Sequence, residues 1–256
     1  MRPGPVTSAL GAARRDGNAL LYLLLDPDNT DAARIAAAVR RAHAAGVDGF
    51  LVGGSLSAYA DLREALAAAR GETDKPVLIF PGGVHHITPG ADGILALSLV
   101  SGRNPDTLIG QHVIAAPIIR RLGLEAVATA YMLVESGPAT SAEFMSGTRP
   151  LPRHKPDIAA AHAMAAEMLG FSLIYLEAGS GAAASVPVEM VRAVTSVTDI
   201  PVAVGGGIRT PEEAAAKIRA GATLVIVGNH FEDTNRLDEL GDFARAVHGA
   251  GRGGAA

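Results

Sequence analysis

The sequence predicts a single (β/α)₈ barrel of the TIM type, an α/β fold. Three observations carry that expectation. The chain has 256 residues, close to the usual size of one eight-fold barrel. Eight short apolar runs alternate with helical patterns, and each run is apolar throughout, as parallel strands covered on both faces are. The composition is 48% hydrophobic but only 4% aromatic, and small and branched side chains suit a layered barrel interior.

Taken in order, the strands are expected at Leu20–Leu25, Gly49–Val52, Val77–Phe80, Ile94–Ser98, Ala126–Ala130, Leu173–Leu176, Val202–Val204 and Leu224–Val227. The first helix, Asp31–Ala45, has Thr30 and Asp31 as cap candidates and stops at Gly46. Asp61–Arg70 stops at Gly71, Asp106–Leu122 at Gly123 and Asp157–Leu169 at Gly170. Pro187–Val197 follows. Pro211–Ala220 has Thr210 as cap, proline in its first turn and Gly221 as its stop, and a last helix covers Arg236–Val247. Two places break the rhythm. Pro81–Gly93 is too short and too rich in Pro and Gly for a helix, so the third barrel helix is replaced by a loop segment. Leu133–Pro156 reads as a long loop, and loops of that length usually close on ligands.

Residues 1–18 read as a flexible N-terminus, 19–248 as one catalytic barrel domain and 249–256 as a disordered glycine-rich tail. A net charge of −4 argues against a nucleic-acid face, and the absence of cysteine excludes thiolate catalysis and zinc–thiolate sites. No run has secretory character or approaches the roughly 18 apolar residues of a membrane span, so a cytoplasmic protein is expected.

Barrel active sites sit at the C-terminal strand ends, and phosphate is commonly held after strands seven and eight. Those ends read Val204-Gly205-Gly206-Gly207-Ile208-Arg209 and Val227-Gly228-Asn229, and strand six ends in Tyr175-Leu176-Glu177-Ala178-Gly179-Ser180-Gly181. Glycine lets backbone N–H groups approach an anion, and a following helix start adds donors. One such turn is as well explained by tight turning alone; three on consecutive strands point to a phosphate ligand.

Asp26 ends strand one before Pro27, and Ser55 ends strand two. Together they could hold a Mg²⁺ that bridges a diphosphate, since magnesium uses one or two carboxylates plus phosphate oxygens; helix capping is the alternative for Asp26. Glu177 could take a proton from a substrate hydroxyl, or only orient that hydroxyl. Tyr175 could face the mouth or simply pack. Arg103, and Arg153 with Lys155 between prolines, could close on a diphosphate or be solvated charges. The adjacent His85 and His86 are not expected to converge on a metal. None of the three lysines, Lys75, Lys155 and Lys217, ends a strand, which disfavours a Schiff-base aldolase. Strand five ends without a carboxylate, which disfavours a phosphosugar isomerase or lyase.

The motifs quoted, with Leu25-Asp26-Pro27-Asp28, Val52-Gly53-Gly54-Ser55, Phe80-Pro81-Gly82, Ser101-Gly102-Arg103-Asn104-Pro105 and Pro152-Arg153-His154-Lys155-Pro156, resemble those of geranylgeranylglyceryl phosphate synthases from about Leu20 to Phe231. The Tyr-Leu-Glu-Ala-Gly-Ser-Gly run is the most specific of them. The resemblance implies a Mg²⁺-dependent prenyltransferase that joins a polyprenyl diphosphate to a hydroxyl of sn-glycerol 1-phosphate as an ether. By it Asp26 and Ser55 bind Mg²⁺, and Tyr175, Leu176, Glu177, Ala178, Gly179, Ser180, Gly181, Gly206, Gly207, Gly228 and Asn229 hold the phosphoglycerol. Arg103, Arg153 and Lys155 would meet the diphosphate, and Glu177, beside Tyr175, would accept the proton. A homodimer is implied, as is a transient membrane-surface contact for the lipid product. Related enzymes include heptaprenylglyceryl phosphate synthases and a moenomycin-type farnesyltransferase that uses 3-phosphoglycerate, so chain length and acceptor stay open. A phosphosugar isomerase or lyase, or a binding protein without catalysis, are the other readings.

Overall fold

A computed structural model of the chain describes residues 3–54, 61–232 and 234–251. Eight parallel strands close into a barrel in sequence order, the last pairing with the first. In chain order the elements are α1 (Pro5–Asp16), β1 (Leu20–Leu25), α2 (Ala32–Ala44), β2 (Gly49–Gly53), α3 (Leu62–Arg70), β3 (Val77–Phe80) and β4 (Gly93–Leu99). Then come α4 (Gln111–Leu122), β5 (Glu125–Leu133), α5 (Ser141–Ser146), α6 (Pro156–Met168), β6 (Leu173–Glu177), α7 (Val188–Thr195), β7 (Val202–Gly205), α8 (Pro211–Arg219), β8 (Leu224–Val227) and α9 (Leu240–Ala250).

Alternate residues of each strand serve two cores, because successive side chains point to opposite faces. Tyr22, Leu51, Leu78, Leu95, Val127, Leu173, Ala203 and Leu224 fill the barrel interior. Leu21, Phe50, Ile79, Ile94, Ile174, Val202 and Val225 pack outward against the helices.

The covering helix between β3 and β4 is missing, as expected, and a single 3₁₀ turn, Val84–His86, stands in its place. Here the register holds only two pairs, Leu78↔Gly93 and Ile79↔Ile94. A π-helical turn, Asp106–Gly110, leads into α4, and Pro117 lies inside that helix.

Three expectations need correction. The expected flexible lead, 1–18, is largely a helix in its described part: Pro5–Asp16 plugs the barrel floor with Val6 and Leu10, both buried. The Glu125 carboxylate at the start of β5 caps it, accepting from Val6 N at 2.9 Å, Thr7 N at 2.8 Å and Thr7 Oγ1 at 2.7 Å. Free N–H groups at a helix start need such a partner. Arg14, in its last turn, donates to the carbonyls of Thr195, Thr198 and Gly221. Secondly, Leu133–Pro156 is not all loop: α5 interrupts it, capped by Thr140, and Val134 pairs with Leu151. Thirdly, the last helix runs through Gly249 to Ala250 after a 3₁₀ stretch at Thr234–Glu239, and Val247 is buried against the barrel; residues 252–256 lie outside the described set. Among the described residues no helix is long and apolar enough to cross a membrane.

Candidate active site

The C-terminal strand ends line one cavity of about 1040 Å³. On one wall lie three turns, Ser180–Gly181 after β6, Gly206–Gly207 after β7 and Gly228–Asn229 after β8. The N–H groups of Ser180, Gly181, Gly206 and Gly207 make no hydrogen bond within the described protein, so they are available to an anion. Gly206 has φ 78°, and a Cβ there would collide with Glu177 Oε1 and the backbone N atoms of Ala178 and Gly179. Only glycine lets the three turns come so close. Asn229 is fixed by its side chain: Ser180 Oγ donates to its Oδ1 at 2.8 Å and its Nδ2 donates to Glu232 Oε1 at 2.8 Å. Not every residue of the motif after β6 reaches the cavity. Leu176 packs in the outer core, Ala178 N donates to Gly205 O, and Gly179 N donates to Glu177 Oε1 at 2.7 Å.

Glu177 ends β6 and faces this cradle, buried at 6% exposure. Burial pushes its carboxyl above the ordinary value, and hydrogen bonds from Tyr175 and Gly179 partly oppose that. Tyr175 and Tyr131 are buried beside it, and burial, then the Glu177 charge, raise both phenols well above their usual value. Their rings meet edge to face at 5.3 Å, and Phe80 completes the cluster at 6.2 and 6.3 Å.

Asp26 lines the same mouth at the end of β1, the strand next to β8, with Gly53 and Gly54 also in the lining. Its Oδ1 accepts from Asp28 N at 3.0 Å, so it caps the turn after β1 and faces the mouth as well. Burial raises its pKa; the Asp28 N–H opposes this, the Asp28 charge adds to it, and nearby His86 lowers it. It makes no ion pair among the described residues. Glu232, missed in the sequence, lines the mouth as well; burial raises its carboxyl, the hydrogen bond from Asn29 opposes, and Asp26 adds to the rise. Ser55 lies outside the described residues. Among those described, no three His, Asp or Glu side chains form a metal-binding group.

The three expected diphosphate cations are not brought to the cavity. Arg153 straps two loops together, donating to the carbonyls of Glu135 at 3.0 Å and Ser185 at 3.3 Å. Arg103 is exposed and folds onto the carbonyl of Gly102, and Lys155 is exposed on the lead into α6. The arginine that does line the mouth is Arg209, after β7, and its guanidinium donates to the carbonyls of Ala182 and Ala183.

A second cavity, an open groove of about 1010 Å³, occupies the place of the missing helix. Val84, Ile87, Ile94, Ala96, Leu97, Ala115 and Ile119 line it, and Ser98 with His112 gives a polar patch beside it through a 2.8 Å hydrogen bond. Phe80, Tyr131 and Ala142 belong to both cavities, so the oily groove opens beside Glu177. Phe80 stood in one of the motifs that carry the resemblance, with no role given to it, and Tyr131 had no local signal beyond its position at a strand end.

A family model described as the PcrB family matches residues 17–246. The chain is similar to a geranylgeranylglyceryl phosphate synthase of Spirosoma linguale, 46% identical over 230 residues, which span 90% of this chain and 92% of that protein. A geranylgeranylglyceryl phosphate synthase of Korarchaeum cryptofilum is 44% identical over 220 residues, or 86% of this chain and 90% of that protein. Among solved structures, (S)-3-O-geranylgeranylglyceryl phosphate synthase from Thermoplasma acidophilum in complex with substrate sn-glycerol-1-phosphate superposes with a TM-score of 0.88 at 32% identity, covering 97% of this chain and 99% of that one.

Proposed function

The chain belongs to the PcrB family, and from that premise we propose that it transfers a polyprenyl group from its diphosphate to a hydroxyl of sn-glycerol 1-phosphate, forming an ether and releasing diphosphate. One observation carries the reading: a cradle of free backbone N–H groups meets a long apolar groove, with a buried carboxylate at the junction. Phosphosugar chemistry has no use for that groove.

The acceptor phosphate sits against Ser180–Gly181, Gly206–Gly207 and Gly228–Asn229, where N–H donors and the short 3₁₀ turn at Asn229–Phe231 favour an anion. The hydrocarbon chain lies in the groove, and each buried CH₂ contributes about 0.8 kcal/mol. Glu177 receives the hydroxyl proton while the oxygen attacks the first carbon of the prenyl chain and the bond from that carbon to the diphosphate breaks. Tyr175 and the Gly179 N–H hold the carboxylate in place, so it is aimed before substrate arrives. Tyr131, Tyr175 and Phe80 wall the junction and keep water from the electron-poor carbon.

A divalent cation fits Asp26: its carboxylate lines the mouth with no ion pair among the described residues, and the arginine there is engaged with carbonyls. Asp26, with Ser55, would hold Mg²⁺, which would supply charge stabilisation for the departing diphosphate. The reading extends to a homodimer, as the family resemblance implies; light scattering of the purified chain checks it.

The decisive experiment incubates the chain with geranyl to heptaprenyl diphosphates against sn-glycerol 1-phosphate and 3-phosphoglycerate, with and without Mg²⁺, and weighs the products. An ether of glycerol 1-phosphate formed only with Mg²⁺ is expected. No ether with any pair, or product only with 3-phosphoglycerate, sinks this assignment.

A further inference from the structure

Glu232 belongs to none of the motifs that pointed to the site, yet it ties the site together. A carboxylate can only accept hydrogen bonds. Two amides from loops after different strands donate to its Oε1: Asn229 Nδ2 at 2.8 Å and Asn29 Nδ2 at 3.2 Å. The Ser180 hydroxyl donates to the other end of the Asn229 amide at 2.8 Å. Turned over, that amide would set its oxygen against a carboxylate, so Glu232 determines which way Asn229 faces. It also determines where the Ser180 hydroxyl proton goes, which leaves backbone N–H groups as what the turn after β6 offers an anion. One row of side chains thus joins the turns after β1, β6 and β8 across the mouth.

We propose that Glu232 is a positioning residue for the acceptor: acting through Asn229 and Ser180, it holds the Ser180–Gly181 and Gly228–Asn229 turns at the spacing a phosphate group needs, and ties them to the Asn29 turn that follows Asp26. This rests on the phosphate-acceptor reading above and deepens it. Glu232 touches no reacting atom. Its job is to accept two N–H bonds, so an uncharged side chain of the same reach can do it and a shorter charged one cannot.

The test titrates inorganic phosphate and sn-glycerol 1-phosphate into the wild-type chain and into Glu232→Ala, Glu232→Gln and Glu232→Asp by isothermal calorimetry, alongside steady-state kinetics. Glu232→Ala should weaken both ligands by about tenfold or more, the scale of a lost charge-assisted hydrogen bond. The acceptor KM should rise by a like factor, with kcat and the donor KM near wild type. Glu232→Gln should restore most of the affinity and Glu232→Asp should not. If Glu232→Ala fails to fold, the Gln and Asp pair carries the comparison. Wild-type affinity in Glu232→Ala or Glu232→Asp, or a Gln variant as weak as Ala, overturns the proposal. So does a wild-type chain that binds neither ligand. A wild-type chain that binds phosphate but transfers no prenyl group defeats the assigned reaction, while the phosphate titrations still judge Glu232.

Discussion

Glu177 must be ionised to take a proton, yet its burial works against ionisation. The consequence is a testable acid limb. The carboxyl titrates above its ordinary value, so turnover at saturating substrate should fall as pH drops through that raised pKa, earlier than an exposed glutamate would allow. Glu177→Gln should keep acceptor binding and lower kcat by about 10²–10⁴-fold, with the acid limb gone; a pH–rate series on both proteins checks this. Gly206→Ala should abolish acceptor binding in calorimetry while the barrel still forms, because the added methyl enters the space of Glu177 and the β6 turn. At this scale the glycine turns and Glu177 stood out in the sequence because an anion site demands those residue types at strand ends. Glu232 and Tyr131 did not, since a glutamate in a turn and a tyrosine in a strand carry no local signature. The direction of Arg153 was not legible: flanking prolines stiffen a loop without saying which way the guanidinium points, and here it donates to carbonyls.

Helices and strands were largely legible because apolar runs and caps are local. Asp31, Asp61, Thr140 and Thr210 each cap a helix. The N-terminal helix was overlooked although Val6, Leu10 and Ala13 are spaced as one buried face; its cap, Glu125, is more than a hundred residues away, and no local reading finds it. Glu125→Ala should therefore destabilise the chain by about 1–2 kcal/mol, measured by denaturant unfolding, with activity retained in the folded fraction. At the same end of the barrel, α9 is tied down by His248, whose Nε2 lies 2.8 Å from Asp48 Oδ2; that hydrogen bond, against some desolvation, raises the histidine pKa. A histidine with a raised folded pKa contributes its full stability below its unfolded value, near 6.5, and loses it as pH rises through the folded one. The gap in melting temperature between wild type and His248→Ala should be wider at acidic pH and should close at alkaline pH.

The barrel as a whole is continuous around its circumference but thin at one seam. Sequence length and alternation conveyed the closed sheet, and a thirteen-residue gap rich in Pro and Gly conveyed the missing helix. That an open wall could supply an apolar groove was legible too, but the residues that line it were not, because a groove is a property of elements far apart, here β3, β4 and α4. Ala115→Phe should narrow it, lowering kcat/KM for long donors by more than about tenfold per isoprene unit displaced, with the acceptor KM unchanged; product ratios from mixed donors would show the shift.

Where other barrels of this plan complete their coat with protein, this one leaves the coat open, and in the proposed reaction the donor chain would finish it. Donor binding should then resemble the last step of folding. Its heat capacity should drop with every isoprene added, while that of the phosphorylated partner barely changes. On the proposed reaction the finished ether would fill the same gap as the donor, so its departure would expose that surface to water again unless another apolar phase receives it.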